Sequence, residues 1–185
     1  MWRATEMAHL MLRQILQPGD VVVDATVGNG HDTLFLADEV GPTGRVFGFD
    51  VQESALQHAA DRLGARPEVT LLHAGHETLA KCLADCDEPS VAAVVFNLGY
   101  LPGADKTIMT RSETTLAALQ QALALLKRGG AVTMVLYPGH TGGGQEAVDL
   151  FDFAQALAGD FSVSHYQRLN ALGVAPELLV FGKTN

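Results

Sequence analysis

Residues Val21 to Thr33 constrain the fold of this 185-residue chain more than any other stretch. Val21-Val22-Val23 is a β-branched run that ends in Asp24-Ala25. The chain then turns through Gly28 and Gly30 straight into an apolar-periodic helix carrying Leu34, Phe35, Leu36 and Ala37. Strand, glycine turn and helix N-terminus in that order make the first βα unit of a nucleotide-binding α/β sheet. A second strand, Arg45-Val46-Phe47-Gly48-Phe49, ends at Asp50. A carboxylate at that place accepts both hydroxyls of an adenosine ribose.

The rest of the chain repeats the alternation. A first helix is expected over Ala4 to Leu16, stopping at Gln17-Pro18-Gly19-Asp20. Further strands are expected at Val69 to Leu72, Val91 to Phe96 and Ala131 to Tyr137, with helices near Gln52 to Leu63, Glu77 to Leu83 and Gln145 to Leu157. The helix between the fourth and fifth strands is expected to open on a capping box, Thr110-Arg111-Ser112-Glu113, and to end in Lys127-Arg128-Gly129-Gly130. Two last strands, Phe161 to Arg168 and Glu177 to Gly182, read as a pair that closes the sheet. Seven strands with interleaved helices predict an open, doubly wound α/β sheet, whose ligands bind outside the carboxyl ends of the strands. The loops that follow the five central strands therefore share one crevice.

Composition narrows the class. With 48% hydrophobic and 18% charged residues the chain is expected to be globular, one domain over residues 1–185. No apolar run reaches the length of a membrane span, and the first residues lack the basic flank and apolar core of a signal peptide, so a cytoplasmic protein is expected. The formal charge of −9 argues against broad, non-specific nucleic-acid binding but leaves room for a small basic patch that reads one RNA loop. Cys82 and Cys86, four apart on an expected helix, read as reduced thiols rather than zinc ligands. The apolar N-terminal helix, with Met7, Leu10, Met11 and Ile15, either covers the sheet or forms the face of a homodimer.

Several residues point to chemistry. Thr33 stands where a dinucleotide fingerprint has its third glycine, and Asp24 puts a negative charge where a diphosphate would sit. A carboxylate there suits a cationic ligand, such as the amine and sulfonium of S-adenosylmethionine, better than NAD. Asn97 begins the loop Asn97-Leu98-Gly99-Tyr100-Leu101-Pro102-Gly103 at the end of a buried strand, where an amide oxygen accepts from a substrate amine. Tyr100 offers a stacking face to a base. Lys106 and Arg111 either pair with Asp105 or meet phosphate, and spacing does not choose between the two. His73, His76 and His140 lack metal-ligand spacing, so no metal is expected; each reads either as a loop histidine against cofactor or substrate or as a plain surface or capping residue. Gly142-Gly143-Gly144 lacks the ending of a P-loop.

Three blocks resemble one known family: Asp24 to Thr33; Phe96 to Gly103 with Asp105-Lys106; and Tyr137-Pro138-Gly139-His140 with Gly142-Gly143. They are similar, over essentially the whole chain and in the same order, to the small class I methyltransferases of the rRNA methylase family. The resemblance implies a Rossmann-like class I fold with a mostly parallel seven-stranded sheet and a C-terminal antiparallel strand. It implies S-adenosylmethionine held at Gly28, Asn29 and Gly30, with Asp50 and Gln52 at the ribose and adenine side and His76 near the base. Asn97 and Tyr100 would stand beside an accepting amine. The implied reaction methylates the 5-aminomethyl group of wobble (2-thio)uridine, with the tRNA anticodon loop as partner. Lys106, Arg111, His140 and Asn170 are the substrate-side candidates. The chain departs from the family at Ala74-Gly75, where Asp-Ser is usual, and between Asn170 and Pro176, where only those two residues keep their places. Alternative acceptors are another RNA position or a small-molecule amine, and a different class is a non-catalytic adenosine-ligand module.

Overall fold

The computed structural model describes residues 2–84, 90–99, 109–140 and 142–184. Its elements run α1 (Ala4–Leu12), β1 (Val21–Asp24), α2 (His31–Val40), β2 (Arg45–Asp50), α3 (Glu53–Leu63), β3 (Val69–His73), a short 3-10 turn (His76–Thr78), α4 (Leu79–Leu83), β4 (Val91–Asn97), α5 (Ser112–Leu125), β5 (Leu126–Leu136), α6 (Gly143–Ala156), β6 (Phe161–Tyr166) and β7 (Glu177–Lys183). All seven strands join one sheet in the order β3-β2-β1-β4-β5-β7-β6. Five strands from β3 to β5 pair in parallel, and β7 lies antiparallel to both β5 and β6. The expected closing pair is thus present, with β7 as the antiparallel strand.

Strand side chains alternate between the two faces, and the core divides accordingly. Val22, Ala93 and Val95 point to the face covered by α1 and α2, against Leu12, Leu36 and Val40. Val23, Val94, Phe96 and Met134 point to the other face, against Leu79 and Leu83 of α4, Leu119 and Leu123 of α5 and Leu150 of α6. Because β4 is buried on both faces, its sequence is a continuous apolar run rather than an alternating one. The N-terminal helix covers the sheet: Ala4 and Ala8 are buried with Val135 of β5 and Leu178 of β7. Among the described residues, no helix is long and apolar enough to cross a membrane.

Two expectations fail around α5. Its N-cap is Arg111, without a side-chain cap, and Thr110 serves a different purpose described below. Lys127-Arg128-Gly129-Gly130 does not finish the helix but belongs to β5, which starts directly at Leu126. Val91 pairs with Leu126 and Ala93 with Ala131, so the intervening residues bulge out of the ladder. Gly129 takes φ 72° in that bulge, and Lys127 reaches back to an ion pair with Asp20. Cations followed by glycines serve a bulge as well as a helix end, and only the partner strand distinguishes the two. α1 is also shorter than expected, ending at Leu12.

The chain moves outward from β1 to β3 and then returns to the other side of β1 with β4. The carboxyl edge between β1 and β4 is therefore the topological switch point, where adjacent loops diverge and leave a crevice.

Candidate functional site

A cavity of about 940 Å³ occupies that switch point. Its walls come from the turn after β1 (Ala25 to Asn29, with His31 and Asp32), from Asp50 to Gln52 after β2 and from Ala74 to Glu77 after β3. Asn97 to Gly99 after β4, Met109 to Arg111, and Tyr137 with His140 after β5 complete it. The clustering of loops expected from topology is what the structure displays.

The glycine turn is a rigid cradle. Gly28 and Gly30 have φ 51° and 76°, conformations that L side chains rarely adopt. A Cβ on Gly30 would lie 2.8 Å from the Cβ and 2.9 Å from the Cα of Ala59, so α3 packs on the turn only because the side chain is missing. Asp50 ties the turn to the second strand. Its Oδ2 accepts from the Gly28 N–H at 2.9 Å and its Oδ1 from the Gln52 N–H at 2.9 Å. Each oxygen keeps a lone pair for a ligand hydroxyl. The Arg62 guanidinium donates to the Asn29 carbonyl at 2.7 Å, holding the outer side of the turn.

Asp24 is not where the charge argument puts it. The residue is fully buried and does not line the cavity. Thr33 Oγ1 donates to its Oδ2 at 2.6 Å and the Thr26 N–H to its Oδ1 at 3.1 Å. Burial, and then the neighbouring negative charge of Asp32, push its pKa up to about 7, against the opposing pull of those two hydrogen bonds. Thr33, read as a missing glycine, is thus the hydroxyl that satisfies a sealed carboxyl group. Of the two acids that flank the glycine turn, the one that lines the cavity is Asp32, in the first turn of α2.

Asp32 organises a group the sequence does not reveal. Its Oδ1 lies 2.7 Å from His9 Nε2 and its Oδ2 accepts from Asn97 Nδ2 at 3.2 Å. Asn97 is itself placed by its backbone N–H, which donates to Thr26 Oγ1 at 2.7 Å. The His9 ring stacks on Phe35, with centroids 3.8 Å apart and planes 7° off parallel, and the Arg13 guanidinium lies 5.2 Å from the centroid of the Phe35 ring. The Tyr137 phenol borders this group, and burial with the Asp32 charge raises its pKa. His9 sits on an apolar helix far away in the chain, so no local pattern links it to the site. Asp32 had a signal: a carboxylate in the first helical turn beyond a glycine loop.

His76 closes the side of the cavity that follows β3. Its Nδ1 faces the Ala25 carbonyl at 3.2 Å, and its ring meets Phe96 edge-on at 5.7 Å. Burial lowers its pKa, so the imidazole is neutral and Nδ1 carries the proton. Its Nε2 is buried and has no hydrogen-bond partner among the described residues. A buried acceptor without a donor is costly unless a ligand supplies one.

The rim is held by a buried acid. Gly99 and Thr110 bond to each other, Gly99 N–H to Thr110 Oγ1 and Thr110 N–H to the Gly99 carbonyl, both at 3.0 Å. Thr110 Oγ1 donates to Glu146 at 2.8 Å, and Thr115 Oγ1 to its other oxygen at 2.7 Å. Burial raises the Glu146 pKa. Thr110 therefore ties its own position to Gly99 and Glu146 rather than capping α5. Arg111 and His140 line the cavity, and His140 stacks on Tyr137 with centroids 5.0 Å apart. Tyr100, Asp105, Lys106 and Cys86 lie outside the described residues. Asn170 is exposed and does not line the cavity, although Val174 of the same segment packs over Gly139 beside His140. Among the described residues, no three His, Cys, Asp or Glu side chains converge as a metal site.

Comparison with known proteins follows the same lines. The family model described as "Putative rRNA methylase" matches residues 46–182. The Arabidopsis thaliana "tRNA (mnm(5)s(2)U34)-methyltransferase, chloroplastic" is 38% identical across 98% of this chain and 69% of its own length. A Clostridium thermocellum crystal structure described as a "putative rRNA-methylase" superposes with a TM-score of 0.93 at 38% identity, covering 99% of this chain and 98% of its own. A Streptococcus mutans structure solved in complex with SAH superposes with a TM-score of 0.88 at 35% identity, covering 99% of both chains.

Proposed function

The chain belongs to the rRNA methylase family, and from that membership we propose that it is an S-adenosylmethionine-dependent N-methyltransferase that converts the 5-aminomethyl group of wobble (2-thio)uridine in tRNA to 5-methylaminomethyl. The observation that carries the reading is Asn97. Its amide stands at the end of β4, bonded to Asp32, in the same cavity as the Gly28–Gly30 turn and Asp50. An amine acceptor and an adenosine cofactor meet across that cavity.

The residues present fit the cofactor. Gly28, Asn29 and Gly30 offer a bare backbone, and the free lone pairs of Asp50 suit the ribose hydroxyls. Gln52 lines the adenine side, and the Nε2 of His76, without a partner among the described residues, is an acceptor there. Asp24 contributes from beneath the floor, as a support for the turn. When bound, S-adenosylmethionine supplies a methyl group on a sulfonium, which is already a leaving group. The work left to the chain is alignment and the exclusion of water. Asn97 orients the acceptor nitrogen, Tyr100 stacks on the nucleoside, and Arg111, Lys106 and His140 meet the RNA around it.

The reading places the whole activity on one domain, residues 1–185, in the cytoplasm with its tRNA; the Arabidopsis relative is chloroplastic by its name. Mass spectrometry of tRNA nucleosides from a deletion strain tests it. Accumulation of the 5-aminomethyl nucleoside with loss of the methylated form is expected, and an unchanged nucleoside profile removes the proposal.

A further inference from the structure

We propose that Asp32 is the group that binds the acceptor's ammonium and takes its proton, and that His9 is the positioning residue that aims it. The inference rests on the amine-methylating reading above and assigns the proton acceptor for it.

A primary alkylamine is largely protonated near neutral pH, and its nitrogen has no lone pair until one proton leaves. A group that removes this proton must face the cavity beside Asn97. Among the described lining residues there, Asp32 is the carboxylate, and Asn97 Nδ2 touches its Oδ2 at 3.2 Å. Asp24 is sealed under Thr33, Asp50 holds Gly28 and Gln52 on the ribose side, and Glu77 lines the wall after β3 beside His76 rather than the wall that Asn97 forms. That the cavity is built for a ligand is shown independently by His76, 9% exposed, whose Nε2 has no partner among the described residues.

The step balances simply. One N–H bond of the ammonium breaks, its proton bonds to a free lone pair of the Asp32 carboxylate, and the electron pair stays on nitrogen. A cation and an anion become an amine and a carboxylic acid. Enclosure favours loss of the charge on nitrogen, because a low-dielectric site penalises an ammonium more than a neutral amine. The nitrogen lone pair, oriented by Asn97, then bonds to the methyl carbon as the carbon–sulfur bond breaks and its electron pair stays on sulfur, which leaves a secondary ammonium. The proton on Asp32 passes to water once the product has left.

Aiming the carboxylate is the task of His9. Its Nε2 is 2.7 Å from Asp32 Oδ1 and its ring is clamped on Phe35, so Oδ2 is left directed toward Asn97 and the cavity. α1 thereby serves the site as well as the core.

Three variants test this with the full-length protein: Asp32→Asn, His9→Phe and His9→Gln. His9→Phe keeps a ring on Phe35 but loses the hydrogen bond, and His9→Gln restores a donor. In Asp32→Asn, the Asn97 amide can turn to meet the new one, so folding is retained. Calorimetry is expected to give the same affinity for S-adenosylmethionine in all forms, within about threefold. With tRNA carrying 5-aminomethyl-2-thiouridine, Asp32→Asn is expected to lower kcat by about 100-fold or more. His9→Phe lowers kcat by roughly tenfold at unchanged KM, and His9→Gln recovers most of it. In the second arm, the free nucleoside 5-aminomethyl-2-thiouridine is bound to the SAH-loaded protein, and Asp32→Asn is expected to weaken that binding. Wild type that methylates, with Asp32→Asn within twofold of it, overturns the inference and spares the tRNA reading. Wild type that leaves the tRNA unmethylated but binds the nucleoside through Asp32 overturns the tRNA reading and supports the inference. Wild type that neither methylates nor binds it overturns both.

Discussion

Replacing Asp24 by Asn removes a carboxyl group whose ionisation the fold opposes. Asp24 is completely buried and titrates at about 7, where a free aspartate titrates near 3.8. A shift of roughly three units corresponds to about 4 kcal/mol. The folded state holds the proton more tightly than the unfolded chain, so the contribution favours folding at low pH. It is complete below the unfolded value and is lost as pH rises through the folded one. Between about pH 5.5 and pH 8 the wild type should lose roughly 2 kcal/mol through this group, since one proton is released on unfolding over about 1.5 of those pH units. The amide imitates the protonated acid: the Thr26 N–H still finds an oxygen, and the Thr33 hydroxyl can accept from the new NH₂. Asp24→Asn therefore keeps its stability across the same window. His76 has a pKa lowered by burial and acts in the opposite direction, weakening the fold as pH falls, but it is common to both proteins and cancels in the difference. Urea unfolding of both proteins without ligand, at several pH values across the window, measures that difference. A difference that stays constant within about 0.5 kcal/mol would refute a pKa held up by burial.

The other predictions concern the turn and the division of labour in the cavity. Gly30→Ala should cost roughly 2–4 kcal/mol, combining a left-handed backbone with a collision against Ala59. Gly41→Ala, with φ 66° and nothing within 4 Å, should cost only about 1 kcal/mol. Equal shifts in urea midpoint would show that the contact with α3 is not what the glycine is for. Asp50→Ala should abolish measurable S-adenosylmethionine binding in calorimetry. Asn97→Ala should retain that binding and reduce kcat at least about tenfold, by loss of alignment. Methylation by Asn97→Ala at the wild-type rate would remove Asn97 from the reaction.

The architecture was legible because its determinants are local. A β-branched run, a glycine turn and an apolar-periodic helix specify a βα unit without reference to distant residues. Repetition of that unit predicts the sheet and the edge on which Gly28, Asp50, His76 and Asn97 gather. Local patterns were ambiguous where one composition serves two geometries. Thr110-Arg111-Ser112-Glu113 has the form of a capping box, yet Thr110 bonds Gly99 and Glu146. Lys127-Arg128-Gly129-Gly130 has the form of a helix end, yet it bulges from β5 because Val91 and Ala93 set the pairing on either side.

Order along the chain also leaves open which carboxylate meets a ligand. Asp24 and Asp32 flank the same glycine turn, and both are acceptable in the sequence as partners for a cation. Packing separates them. β1 lies between β2 and β4, which seals the end of the strand, and Thr33 folds back onto Asp24. The first turn of α2 instead presents Asp32 to the crevice, where α1 brings His9 and β4 brings Asn97. A linear pattern encodes the backbone path and its periodic faces. The partners of a polar side chain come from elements far apart in sequence, so its role is settled only once the sheet has assembled around it.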